Sequence, residues 1–182
     1  MNEPVSVSAD KLELETQDML KTLDYSPDQL LHTLLSEKET FCKAYDKNGN
    51  TYLHLAVRHL KDDPTLTEKI NVLVNHGADL KATNEEGKTA LHMVAEARDQ
   101  NENSYRIFSH LVKWAAVDLQ FDFNTRDKSG RTILHYCAEY FSRNGKGKIN
   151  SNVSTLLKEV SWDRLDINAR SKSGFTPVLL AA

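Results

Sequence analysis

The sequence has few cysteines and no strong excess of either charge. Its 182 residues include two cysteines, Cys42 and Cys137, which lie far apart. A secreted domain held by disulfides would have a larger and closely spaced set, so we interpret both as reduced thiols and expect the protein in the cytoplasm or nucleus. The net charge of −3 argues against a nucleic-acid partner, because such binders usually have a marked basic excess.

Long hydrophobic runs are also missing. No apolar stretch approaches the roughly 18 residues that a membrane-spanning helix needs, so we expect no membrane partner. The N-terminal sequence MNEPVSVSADKLELE lacks the basic start and apolar core of a secretory signal. Hydrophobic residues nevertheless make up 40% of the chain, which is sufficient for one compact domain or a short solenoid.

One phrase recurs four times along the chain. Each copy has a polar residue, a glycine three positions later, a threonine two positions after that, and then an apolar run. The copies are DKNGNTYLHLAV from Asp46, NEEGKTALHMVA from Asn84, DKSGRTILHYCA from Asp127 and SKSGFTPVLLAA from Ser171. Their glycines are separated by 38, 43 and 44 residues.

This phrase predicts a tight turn followed by a helix. Glycine has the backbone freedom that the turn requires, and the polar residue can hydrogen-bond its own backbone. The threonine can cap the helix, and the apolar run has near-helical spacing. Further apolar residues predict a second helix in each complete unit, within residues 66–74, 107–115 and 153–160.

The phrases TYLHLA, TALHMVA and TILHYCA, together with NHGADL at 75–80, resemble the ankyrin repeat. The resemblance covers roughly residues 41–182 and implies an all-α solenoid of antiparallel helix pairs with an N-terminal helical cap. We expect an acidic cap over residues 1–40 and repeats at about 46–83, 84–126, 127–170 and, incomplete, 171–182.

The chain departs from the family pattern in three ways. Leu179 stands where the family has histidine. Every repeat is longer than the family period of about 33 residues. We expect the extra residues, near 60–64, 99–103 and 144–148, to form exposed loops or slight helix extensions between the two helices. The chain also stops within the first helix of the fourth repeat, which we interpret as the end of a fragment.

The N-terminal region allows two interpretations. Lys11–Leu23 can form an amphipathic helix, and Ser26 and Pro27 predict the start of another, with serine as cap and proline in the first turn. The pair would cover the first repeat as a cap. Alternatively, the acidic first helix would itself bind a partner.

No catalytic or metal site is predicted. His54, His92 and His135 occupy the same position in three repeats, and the resemblance implies that they hydrogen-bond neighbouring turns. Cys137 is two residues from His135, so on a helix the two do not face each other. Residues 144–148, NGKGK, lack the spacing of a phosphate-binding loop. We expect no enzyme activity, no cofactor and no small-molecule substrate.

Two tryptophans remain. Trp114 and Trp162 fall on or near the predicted second helices, and we expect both to pack inside the solenoid.

The resemblance implies that a partner protein contacts the turn tips and the exposed side of the first helices. By position these residues are Tyr45, Lys47, Asn48, Asn50, Arg58, His59, Glu85, Glu86, Lys88, Glu96, Arg126, Lys128, Arg131, Glu139, Tyr140, Arg170, Lys172 and Phe175.

Basic residues concentrate in the third and fourth repeats, whereas the second presents glutamates. Because arginine and tyrosine are favoured interface anchors, we expect an acidic or phosphorylated partner segment to dock at the third and fourth repeats. The alternative is that these charges only solvate the turns.

An interaction module is therefore predicted, acting as adaptor, scaffold or inhibitor; ankyrin proteins include inhibitors of Rel-type transcription factors. The alternative is the substrate-targeting part of a larger enzyme, such as a bacterial effector secreted into the host cytosol, with its catalytic domain absent here.

Overall fold

A computed structural model describes residues 21–36, 46–59, 63–96, 102–143 and 151–181, and all regular secondary structure within these ranges is helical. One 3₁₀ turn, Trp162–Arg164, is present. The α-helices are α1 (Pro27–Ser36), α2 (Tyr52–His59), α3 (Leu66–Asn75), α4 (Ala90–Glu96), α5 (Glu102–Val117), α6 (Ile133–Arg143), α7 (Ser151–Glu159) and α8 (Pro177–Ala181).

The helices stack in two layers. The first helices of the repeats, α2, α4, α6 and α8, pack on one another in chain order, and so do the second helices α3, α5 and α7. Within each complete repeat the two layers meet, as α2 with α3, α4 with α5 and α6 with α7. The predicted all-α solenoid of helix pairs is confirmed.

The turn that opens each repeat has the predicted geometry. In the third repeat, Oδ1 of Asp127 accepts hydrogen bonds from the backbone N–H groups of Ser129 and Arg131, both at 2.8 Å. The N–H of Gly130 donates to the Asp127 carbonyl, and Gly130 has a φ of 74°. This left-handed conformation is easily adopted only by glycine, which explains the glycine in the phrase.

Successive turns are joined by backbone hydrogen bonds. One N–H of each later turn donates to a carbonyl of the turn before it. The turn tips therefore form a continuous row, which we call the turn row. The bonds run from Glu85 to Asn48 at 2.9 Å, from Lys128 to Glu86 at 2.8 Å and from Lys172 to Ser129 at 2.8 Å.

The repeated histidines connect each first helix to the next repeat. Nε2 of His92 lies 3.1 Å from the carbonyl oxygen of Thr125 and, since that oxygen can only accept, Nε2 must be the protonated nitrogen. Nδ1 then accepts from the Thr89 N–H at 3.3 Å. The equivalent Nε2 contacts are His54 to Lys88 and His135 to Phe175. Their predicted structural role is confirmed.

Burial determines the protonation of groups inside the solenoid. Desolvation lowers the pKa of His92 to about 4 and raises that of the Cys137 thiol far above its usual range. Both groups are therefore neutral at physiological pH. Cys137 acts as a small packing residue of α6, while Cys42 lies outside the described residues.

Helix α1 begins as the sequence predicts. The N–H of Gln29 donates to Oγ of Ser26 at 3.3 Å, and Oε1 of Gln29 accepts from the Ser26 N–H at 3.0 Å. This reciprocal capping satisfies donors that the first turn would leave unpaired. Of the predicted helix Lys11–Leu23, residues 21–23 are helical and the rest lies outside the described ranges.

A buried lysine ties this N-terminal region to the first repeat, where α1 packs on α3. Nζ of Lys69, on α3, donates to the carbonyl of Leu23 and to Oδ2 of Asp63, both at 2.7 Å. The charge of Lys69 is thus satisfied despite its burial. This packing agrees with a capping role, although the 1–40 boundary stays a prediction.

The two tryptophans behave differently. Trp114 is half-buried and donates from Nε1 to Asn71 at 3.3 Å, so its predicted packing role is confirmed. The prediction for Trp162 is wrong, because its side chain is 62% exposed. In the 3₁₀ turn it is Arg164, rather than Trp162, that faces the preceding repeat. The predicted interhelical loops fall mostly on residues outside the described ranges.

Candidate protein-binding surface

An open groove of about 780 Å³ lies along the first three turns and the helices α2, α4 and α5. Its apolar lining consists of Val57, Met93, Val94 and Ile107, and several charged side chains surround it. The groove brings together eight of the predicted contact residues: Asn48, Asn50, Arg58, Glu85, Glu86, Lys88, Glu96 and Lys128.

Lys88 organises the charge of this groove. Its Nζ lies 2.8 Å from a carboxylate oxygen of Glu86 and 2.7 Å from one of Glu96. Burial disfavours the ammonium, but the two carboxylates outweigh it and raise the pKa of Lys88. The hydrogen bond from Lys88 in turn lowers the pKa of Glu86. Lys88 and Glu86 are therefore charged at neutral pH and offset each other's charge.

The boundary between repeats two and three centres on Tyr136. Two cations contact its ring, with Nζ of Lys88 at 5.6 Å and the guanidinium carbon of Arg131 at 4.1 Å from the ring centroid. Its hydroxyl donates to Oδ2 of the buried Asp127 at 2.5 Å. This arrangement combines cation–π contacts with a charge-assisted hydrogen bond, and the contact with Lys88 joins repeat three to repeat two.

Two of the predicted basic contacts are already engaged within the chain. Arg131 pairs with Glu139. The Arg126 guanidinium donates to the carbonyls of Arg170 and Gly130, and lies 3.9 Å from Asp166. These contacts give both arginines a structural role in addition to any role at the surface.

The basic side chains of the fourth turn and the lysine of the third turn are more accessible than Arg126 and Arg131. Lys128 and Lys172 are exposed, and neither forms an ion pair with any residue that the structure describes. Arg170 is also exposed and donates to the carbonyl of Gly174 at 3.3 Å. Phe175 is half-exposed beside them. The turn row therefore holds two available lysines at its C-terminal end.

Asn50 must be removed from the predicted surface. Its side chain is 1% exposed, donates to Asp46 at 2.9 Å and accepts from Asn84 at 2.9 Å. It is thus a hydrogen-bonded link between two turns and cannot reach a partner. Lys47 and Asn48, from the same turn, are exposed as expected.

Three predicted contacts receive no structural description. Tyr45 lies outside the described ranges, as do the side chains of His59, at the end of α2, and Tyr140, on α6. Their place at the surface remains a prediction.

Two features of this surface were not predicted. Tyr136 follows the repeated histidine directly, and its position in the apolar run indicated only that it is buried. The lining of the groove also includes Ile107 from the second helix α5. Predictions limited to the turns and first helices could therefore not identify the groove.

Within the described ranges, no three histidine, cysteine or acidic side chains cluster as metal ligands would. None of the helices in those ranges has the length and apolar character that would let it cross a membrane.

Comparison with known proteins agrees with the architecture. A family model described as ankyrin repeats in three copies matches residues 64–145. The chain is an ankyrin-repeat protein. The match spans α3 to α6, of which α4 and α6 are first helices and α3 and α5 are second helices of the repeats.

Curated relatives are similar over most of this chain. NF-kappa-B inhibitor zeta from Mus musculus is 34% identical over 129 residues, which cover 67% of this chain and 16% of the relative. The protein of the same name from Homo sapiens is 33% identical over 127 residues, or 66% of this chain and 16% of its own length. The aligned region thus spans about one sixth of each relative.

Proposed function

We propose that this chain binds a partner protein along its turn row and first helices, and acts as an inhibitor, adaptor or scaffold. The observation on which the proposal rests is the open groove of about 780 Å³ along the turns and first helices, which polar and charged side chains from three successive turns line together with a few apolar ones. Interfaces that are not permanent are about as polar as the rest of a protein surface, so a groove with a largely charged lining suits one. Ankyrin repeats are interaction modules, which supports a binding role without catalysis.

The proposed partner is NF-kappa-B. The relatives are named as inhibitors of it, and their similarity extends over about two thirds of this chain. The cytoplasm or the nucleus is the proposed location. Because the alignment reaches only one sixth of the relatives' length, this partner is inferred from the repeats alone.

We further propose that an acidic or phosphorylated segment of the partner docks at the third and fourth turns. Lys128 and Lys172 support this, since both are exposed and without ion pairs to the residues described. The bond from the Lys172 N–H to Ser129 holds their two turns in register. Two lysines on adjacent turns give a fixed pair of positive charges, which suits carboxylate or phosphate groups.

The test compares two charge reversals at equivalent turn positions. Lys128→Glu with Lys172→Glu changes the proposed docking end, whereas Lys47→Glu changes the matching residue of the first turn. Binding of each variant to purified NF-kappa-B is measured at low and high salt. We expect about tenfold or greater loss for the double variant, mostly in the association rate, and little change for Lys47→Glu.

Two outcomes would contradict parts of this proposal separately. If the wild-type chain does not bind NF-kappa-B, the partner is wrong. If it binds but the double variant binds equally well, with the same salt dependence, the acidic segment is wrong. Arg126 and Arg131 are unsuitable for this test, because their replacement would also remove the internal contacts described above.

A further inference from the structure

A second apolar patch lies away from the turn row, where the second helices end. It consists of Val117, Leu119, Trp162 and Ile167, whose side chains are 76%, 88%, 62% and 41% exposed. Val117 is the last residue of α5, and Trp162 begins the 3₁₀ turn after α7. Single exposed apolar residues are ordinary, but a group of them on adjoining loops indicates an interaction site.

Arg164 holds the two loops of this patch together. Its guanidinium donates to the carbonyls of Ala116 at 2.8 Å, Asp118 at 2.9 Å and Phe121 at 2.9 Å. The first two of these carbonyls belong to the peptide bonds of Val117 and Leu119. Trp162 is in the same 3₁₀ turn as Arg164. The patch is therefore built on a fixed scaffold.

A further pair of bonds extends the patch to Ile167. The Asn124 side chain donates to the carbonyl of Arg164 at 3.0 Å and accepts from the N–H of Asp166 at 2.7 Å. Ile167, the next residue, consequently lies beside the loop of repeat two.

The charge around this second-helix patch is negative. Segments 117–124 and 160–168 contain four aspartates and one arginine, a net charge of −3. The arginine is Arg164, whose donors are used by carbonyls. Adding the four preceding residues to each segment, as 113–124 and 156–168, brings in Lys113, Lys158 and Glu159 and leaves a net charge of −2.

The carboxylates differ in their availability. Lys81 lies 3.6 Å from Asp118, and Arg126 lies 3.9 Å from Asp166; both contacts are long and partly exposed. Asp122 and Asp163 are exposed and have no ion pair with the residues that the structure covers. The surface thus offers free carboxylates beside its apolar side chains.

We propose that the second-helix patch binds a short protein segment in which apolar side chains alternate with lysine or arginine. Apolar residues would cover Trp162 and Leu119, and the basic residues would face the aspartates. A second copy of the chain would bring two sets of exposed carboxylates, Asp122 and Asp163 of each copy, together, and an anionic membrane would be repelled likewise. This site uses other residues than the turn row, so it does not depend on the function proposed above.

The test uses the full chain and a synthetic peptide of alternating leucine and lysine. A peptide of alternating leucine and glutamate is the control ligand. Trp114→Phe leaves Trp162 as the only tryptophan, and its emission reports on the patch directly. We expect the basic peptide to shift this emission to shorter wavelength and protect it from quenching, whereas the acidic peptide does neither.

Matched variants separate a specific site from general charge attraction. In the Trp114→Phe background, Leu119→Ser and Asp163→Asn should each weaken peptide binding, by about tenfold or more for the apolar change. Trp162→Ala, tested by calorimetry, should do the same. Glu85→Gln with Glu86→Gln, on the turn row, should have no effect. All these side chains are exposed, and circular dichroism verifies that each variant is folded.

Several results would overturn the proposal. One is an equal loss of affinity for the basic peptide in the patch and turn-row variants, and another is an unchanged affinity of Trp162→Ala for this peptide. The others are preferential binding of phosphatidylserine vesicles over the basic peptide, and self-association of the chain that Trp162→Ala abolishes. The last two would assign the patch to a membrane or to a second copy.

Discussion

The hydroxyl of Tyr136 donates a hydrogen bond of 2.5 Å to Oδ2 of Asp127, and both residues are buried. Oδ1 of the same carboxylate accepts the two N–H groups that shape the third turn. One side chain on α6 therefore fixes the aspartate on which the turn depends. Burial and Asp127 both raise the pKa of Tyr136, so the phenol remains a donor at any physiological pH.

Replacing this tyrosine tests the link between helix and turn. Tyr136→Phe should lower the free energy of unfolding by about 1–3 kcal/mol, because a buried carboxylate oxygen loses its partner. Urea denaturation measures the change. Tyr25→Phe, at an exposed position, is the control and should have little effect. Equal stability of the two variants would contradict the assigned role of the hydrogen bond.

Two glycines of the turn row allow two contributions to the free energy of unfolding to be separated: the close contact between turns and the left-handed backbone conformation. Gly130 and Gly174 have similar φ angles, 74° and 82°. A Cβ on Gly130 would lie 3.0 Å from the backbone nitrogen of Lys172, whereas one on Gly174 would meet nothing within 4 Å.

Alanine at either glycine should destabilise the chain by about 1–2 kcal/mol through its left-handed backbone. Gly130→Ala should be the more damaging, because the next turn must also move. Thermal denaturation of both variants measures the difference. If Gly174→Ala were equally or more damaging, the close contact between turns would not contribute to stability.

The repeated histidines predict a dependence of stability on pH. Burial lowers the pKa of His92 from 6.5 to about 4, so the unfolded chain binds a proton more readily than the folded one. Stability from this residue is present above pH 6.5 and is lost as the pH falls toward 4. Between pH 7 and pH 5 the loss should be about 2 kcal/mol.

Chemical denaturation at the two pH values measures this effect. His92→Asn should be less stable at pH 7 but should depend less on pH than the wild type. His32→Gln, on the exposed surface of α1, should retain the full wild-type dependence. An unchanged slope in His92→Asn would show that other groups cause it.

The buried Lys69 tests the attachment of the N-terminal region. Lys69→Met should lower stability by about 1–3 kcal/mol, because the carbonyl of Leu23 and the carboxylate of Asp63 both lose a donor. Lys113→Met, at an exposed position of α5, is the matched control. Amide hydrogen exchange in α1 should accelerate only in the Lys69 variant.

The sequence predicted those parts of the fold that depend on local interactions. The turn at Asp127 and its glycine could be inferred because their hydrogen bonds join residues within four positions. The start of α1 at Ser26 could be inferred for the same reason. Repetition of these local signals was then sufficient to predict the stacked helix pairs.

Side chains that act between repeats could not be assigned in this way. Asn50 was predicted at the surface because its turn is exposed, but Asn84 of the next turn buries it. Trp162 was predicted to be buried from its place near a second helix, but Arg164 takes the inward position. Both outcomes depend on the orientation of one repeat against its neighbour, which no single repeat encodes.

The central claim is that a partner protein covers the turn row and the first helices. Amide hydrogen exchange of the chain, alone and with saturating NF-kappa-B, tests it most directly. We predict slower exchange in the turns around Lys128 and Lys172 and around the groove, with little change along the exposed side of the second helices. Protection confined to the second helices, or no protection at all, would contradict this account.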